Sequence, residues 1–102
     1  MRLTDRKLEQ KRLQELTRRN LLRLIDSELN LALTMTELAE TEFELGGEAH
    51  GRLLLEKVEQ AMDSVRRHVA DQRLSADEKQ EVEDRVHELT QRIGKAKERV
   101  FE

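Results

Sequence analysis

Cysteine, proline, tryptophan and tyrosine are all absent from this chain, and phenylalanine occurs only at Phe43 and Phe101. Without cysteine there are no disulfides, thiolate metal sites or cysteine nucleophiles. Without proline and with almost no aromatic residues, the chain lacks the turns and strands that build a β-sandwich or barrel. Long apolar runs are missing too. The longest are three residues, Leu31 to Leu33 and Leu53 to Leu55, against about 20 for a membrane-spanning helix. The opening stretch MRLTDRKLEQKRLQ has neither the apolar segment of a signal peptide nor the acid-poor character of a transit peptide. A cytoplasmic location is the resulting expectation.

What the chain does contain is Leu, Glu, Arg and Gln, residues that lose little on entering a helix. Charged residues make up 40% of the 102 and the hydrophobic set 36%, so one domain with a thin core is expected. Leu, Ile, Val and Phe together number 27, above the range of disordered chains. The net charge of −3 is unevenly spread. Residues 1–23 hold eight Lys and Arg against three acids, so residues 24–102 balance at −8. From Glu37 to Glu48 five glutamates occur with no basic residue. Such asymmetry between halves marks a partner-binding arm.

Two breaks divide the chain. Gly46-Gly47 follows a long apolar periodicity and reads as a helix stop, because glycine adopts the left-handed C′ conformation without a Cβ clash. Ser75-Ala-Asp-Glu78 has the pattern of a capping box after a break near 70–75. Three helices are predicted, over 4–45, 48–71 and 76–100. Short loops make consecutive helices antiparallel neighbours. The predicted fold is therefore all-α, an antiparallel three-helix bundle over 21–102 whose long first helix extends N-terminally as a charged segment, 1–20.

Each helix carries its own pattern. The third spaces Val82, Val86, Leu89, Ile93, Ala96 and Val100 by fours and threes, one narrow stripe. The second places Leu54, Val58, Ala61, Val65 and Val69 on one face, flanked by Leu55 and Met62. The first has two stripes, Ile25, Leu29, Ala32, Thr36, Ala39, Phe43 and, beside it, Leu21, Leu24, Leu31, Met35, Leu38. Together they cover over half the circumference at about 100° per residue. One broad stripe suffices for a closed bundle, so Leu21, Leu24, Leu31, Met35 and Leu38 are the candidate interface residues. The first helix also reaches about 60 Å, while the others reach about 35–38 Å.

The stretch Met35-x2-Leu38-Ala39-x3-Phe43-x2-Gly46-x4-Gly51-x3-Leu55-x2-Val58 resembles a tetratricopeptide-type helical hairpin, in which small residues, here Ala39 and Gly51, sit where two helices approach. Closed by one further helix, it looks like a microtubule-interacting-and-trafficking (MIT) domain. That likeness implies recognition of a partner helix in a groove between helices 1 and 3. The overall pattern is also similar to small bacterial helical proteins of uncharacterised role, which implies no activity.

Chemistry-bearing constellations are few. Asp84-x-x-His87 is a single imperfect copy of the Glu-x-x-His motif that di-iron bundles use twice, and it falls on the solvent side of helix 3. His68 adjoins the apolar stripe and is placed to hydrogen-bond at the bundle edge, while His50 falls in the Gly-Gly-Glu-Ala-His-Gly turn. Glu37, Glu40, Glu44 and Glu48 share an edge, but acid–base work requires a desolvated cleft that separates carboxyl pKa values. The glycines lack the Lys-Ser/Thr and preceding strand of a phosphate loop. The basic segment has no stacking aromatic and interleaves acids, for example Glu15 with Arg19. Asn20 is a candidate register residue in a helix seam.

No enzyme, metal or cofactor is expected. The expected function is a non-catalytic helical interaction or scaffold module that self-associates through helix 1 or takes a partner helix. The alternative is a nucleic-acid-associated regulator using the basic arm.

Overall fold

A computed structural model describes residues 3–70 and 73–101, with side chains over 5–70 and 73–98. Three helices follow in order: α1, Leu3–Glu44; α2, Glu48–Val69; α3, Ala76–Phe101. No strand occurs among the described residues. The predicted limits of 4–45, 48–71 and 76–100 fall within two residues of these, with Asp71, Gln72 and the side chain of Val100 outside the described residues.

The stop after α1 is the one the glycines imply. Gly46 has φ of 84°. Its N–H donates to the Phe43 carbonyl at 3.2 Å and that of Gly47 to the Glu42 carbonyl at 2.7 Å. These two bonds form a Schellman motif with Gly46 at C′, satisfying carbonyls the helix end would otherwise leave open. At the start of α3 the capping box is reciprocal. Glu78 N–H donates to Ser75 Oγ at 3.1 Å, and Ser75 N–H donates to Glu78 Oε1 at 2.8 Å.

The chain runs up, down and up. Glu28 on α1 meets Ser64 and His68 on α2 while Phe43 meets Gly51, so α1 and α2 are antiparallel. Arg18–Glu78, Asp26–Arg85 and Glu40–Arg92 pairs make α1 and α3 parallel. The result is 67 Å long and 20 × 14 Å across.

The core is a single apolar seam. Ile25, Leu29, Ala32 and Ala39 of α1 are buried, and Thr36 in the same row donates its hydroxyl to the Ala32 carbonyl at 2.8 Å. From α3 come Val82, Val86, Leu89, Ile93 and Ala96, as the period predicts. Helix α2 is rotated slightly from the predicted face. Leu55 and Met62 are buried while Leu54 and Ala61 are only half-buried. The cause is that α2 touches both α1 and α3, so its core arc is centred between the two contacts. Leu74, in the α2–α3 connection, is also buried and closes that end of the core.

Candidate interaction surface

Two helices pack against α1 from different sides. The positions of α1 that face α2 include Glu28 and Glu42. Those that face α3 include Asp26, Glu37 and Glu40. At 100° per residue the core stripe lies between these two sets. A broad arc on the other side of α1 is left without a neighbour, and along this arc runs a row of leucines. Leu24, Leu31 and Leu38 are 45%, 57% and 51% exposed. Their spacing of seven continues to Leu45 at the helix end, and Leu13 lies on the same line upstream; both are exposed.

The structure divides the five predicted interface residues. Leu24, Leu31 and Leu38 stand in the outward row. Leu21 and Met35 are half-buried and pack against the core, because they fall between the row and the core stripe on the side that α2 covers. They form the shoulder of the surface rather than its crest.

Between the leucines, at spacings of three and four, stand Thr17, Asn20, Ser27, Thr34 and Thr41, all exposed. No charged residue interrupts the row from Leu13 to Leu45, in a chain that is 40% charged. The threonines are not open donors. Thr17 donates to the Leu13 carbonyl at 2.7 Å, Thr34 to Asn30 at 3.0 Å and Thr41 to Glu37 at 3.0 Å. With the hydroxyl turned back on its own helix, desolvating these side chains strands no donor. The threonine positions can therefore be buried as if largely apolar, and Asn20 and Ser27 are the polar points of the row. The expected interface covers only part of this row; the signal for the rest is the strict heptad of leucines with uncharged residues between.

Charged groups flank the surface and fasten the bundle. Arg92 Nη2 lies 2.7 Å from Glu40 Oε1 and its Nη1 3.8 Å from Glu37. Arg85 bonds Asp26 at 2.8 Å and Asn30 at 3.3 Å. The acidic edge of Glu37 and Glu40 is thus partly neutralised from α3, which no local pattern announces. Near the other end Arg18 bridges Glu15 and Glu78. The hydrogen bond from Arg18 holds the Glu15 carboxyl below the usual glutamate range.

The histidines are spread out. His68 Nδ1 is 3.3 Å from Glu28 Oε2, and Ser64 donates to the other oxygen of that carboxylate at 3.0 Å. His50 stands in the first turn of α2, not in a loop, with Nδ1 3.4 Å from Glu42. His87 is exposed at the edge of an open groove between α2 and α3, with Arg66, Val86 and Thr90. Between α1 and α3, where the MIT likeness places a partner helix, there is a cavity of about 150 Å³ bordered by Leu33, Arg85 and Arg92. Among the described residues no group of three His, Asp or Glu gathers as a metal site, and no helix is long and apolar enough to cross a membrane.

No protein-family model, curated protein or solved structure matches this chain.

Proposed function

We propose that this chain is a helical protein-interaction module that self-associates through the outward face of α1, its work being association rather than catalysis. The observation that carries this reading is the uncharged leucine row on the one face of α1 that neither α2 nor α3 covers. A monomer rarely leaves a contiguous apolar strip of several hundred Å² in water. Burial of five leucines contributes several kcal/mol at roughly 25 cal/mol per Å² before association costs are subtracted.

Sedimentation of the parent and of a Leu24→Glu, Leu31→Glu double variant tests it. The parent is expected to be a dimer and the variant a folded monomer. A parent that stays monomeric at high concentration sinks self-association and makes a foreign helix the better occupant.

A second reading has its own support. Arg6, Lys7, Lys11 and Arg12 are all exposed on the N-terminal part of α1, where a polyanion such as nucleic acid would be held by phosphate contacts. Such binding weakens steeply with salt, whereas leucine packing does not.

A further inference from the structure

Helix α1 carries its charge in an unusual direction. Residues 5–23 hold seven Lys and Arg against three acids, while residues 24–44 hold six acids and no Lys or Arg. The helix macrodipole favours the reverse order, acids near the N-terminus and bases near the C-terminus. Helix α2 obeys that preference, with Glu48 in its first turn and Arg66, Arg67 and His68 in its last. The last turn of α1 has no basic residue at all. Within the chain, Arg85 and Arg92 of α3 answer part of the acidic half. Among the described residues nothing comparable answers Arg6, Lys7, Lys11 and Arg12.

The outward row has a second directional property. Its leucines 24, 31, 38 and 45 recur at one heptad position, and the smaller residues Asn20, Ser27, Thr34 and Thr41 recur at the other core position. In a parallel pair like positions face each other, so leucine would meet leucine and hydroxyl would meet hydroxyl. In an antiparallel pair the two positions face each other, so Leu24, Leu31 and Leu38 each meet a small side chain.

We propose that the occupant of the row is a second copy of this chain, with the two α1 helices antiparallel and related by a two-fold axis at the level of Leu29. This inference rests on the self-association proposed above and specifies its geometry. The row is bounded by Leu13 and Leu45, and full overlap of two antiparallel rows pairs these two ends. Leu31 then packs over Ser27 of the copy, Leu24 over Thr34 and Leu38 over Asn20, with Leu45 against Leu13 at each end. The same register sets Arg23 on the flank beside Glu37 of the copy. It also brings Lys11 and Arg12 to the copy's acidic turn, near Glu44 and Glu48. A parallel pair would instead set each basic segment against its own duplicate. Two-fold symmetry satisfies both charge halves at once, since the patch is self-complementary.

The absence of cysteine makes the register directly measurable. Leu13→Cys and Leu45→Cys variants are mixed, unfolded and refolded together, treated with a short thiol–thiol cross-linker, and sedimented in parallel. Both positions are exposed, so the bundle itself is not disturbed. In the proposed pair the thiol introduced at position 13 abuts the one at position 45 of the copy. Two thiols at position 13, or two at position 45, are instead about 48 Å apart at 1.5 Å per residue. The expected result is a dimer that cross-links in the mixture and in neither variant alone. A dimer in which Leu13→Cys alone cross-links to itself overturns the antiparallel arrangement and leaves self-association standing. A dimer with no link in any sample overturns this register. A monomer in every sample removes self-association and this inference together.

Discussion

Gly51 lies so close to Phe43 that a Cβ added to it would stand 2.4 Å from the ring carbon Cε1. This contact sets how near α1 and α2 approach just after the turn that joins them. Gly51→Ala gains helix propensity of up to about 1 kcal/mol. The gain is outweighed by displacing a ring packed against the core, a strain of about 1–3 kcal/mol. The variant is expected to melt below the parent in a thermal scan followed by circular dichroism.

Gly94 gives the opposite sign from the same substitution. It lies inside α3 with nothing within 4 Å of its missing Cβ and is exposed. Gly94→Ala therefore gains propensity without a clash, raising stability by about 0.5–1 kcal/mol. Urea titration of the two alanine variants beside the parent checks both signs. A Gly94→Ala midpoint at or below that of the parent defeats the expectation.

Elements specified by neighbouring residues were legible in the sequence, and those set by distant packing were not. Gly46 and the Ser75–Glu78 box specify their structure within a few residues, so spacing alone revealed them. The stripes of α1 and α3 were legible because one period fixes one face. The face of α2 was not, because its core arc depends on two neighbours, and Leu55 and Met62 entered the core ahead of Leu54 and Ala61. The Arg92–Glu40 and Arg85–Asp26 pairs join residues more than fifty apart, and their register is set by packing rather than local pattern. Of the candidate surface, Leu24, Leu31 and Leu38 could be read from the surplus of apolar residues. Leu45 was legible as well, since it continues their spacing of seven, but Leu13 stands off that heptad, and its membership in the row depends on which side of α1 the other helices cover.

Removing the cap at the start of α3 tests the local and the long-range parts of the fold separately. Ser75→Ala loses the bond to the Glu78 amide and costs about 0.5–2 kcal/mol. Leu89→Ala, at a side chain only 6% exposed, costs about 2–5 kcal/mol through lost burial and the cavity left behind. Chemical denaturation of both variants should rank them in that order. A Ser75→Ala curve superimposable on the parent would show that the box adds nothing to stability.

Glu15 offers a pH readout near the first cross-helix tie of α1. The hydrogen bond from Arg18, with its charge and that of Arg19, holds the carboxyl below the ordinary glutamate value of 4.5. A depressed folded value means that this stabilisation is present above the unfolded value and is lost as pH falls through the folded one. The group is open to solvent, so the effect on stability is small. The carbon NMR titration of the Glu15 carboxyl should have its midpoint below 4.5, and Arg18→Met should move it up. An unmoved midpoint in that variant excludes Arg18 as the cause.

The N-terminal part of α1 connects the fold to the proposed pairing. Residues 5–14 are exposed throughout, and Arg18, through Glu78, provides the first ion pair from α1 to another helix among the described residues. A helical stretch of this length without tertiary contacts is marginal in water, where isolated helices below about 12–15 residues hold poorly. In the antiparallel pair residues 13–17 lie alongside residues 41–45 of the copy, so their amides gain protection only when the pair forms. Hydrogen exchange of the parent at high concentration should show slow exchange from Leu13 to Thr17. The Leu24→Glu, Leu31→Glu variant should exchange fast there while Ile25 to Phe43 stays protected by the bundle. Equal protection of Leu13 to Thr17 in dimer and monomer would mean that this segment is held by its own chain, and the partner would then have no part in ordering it.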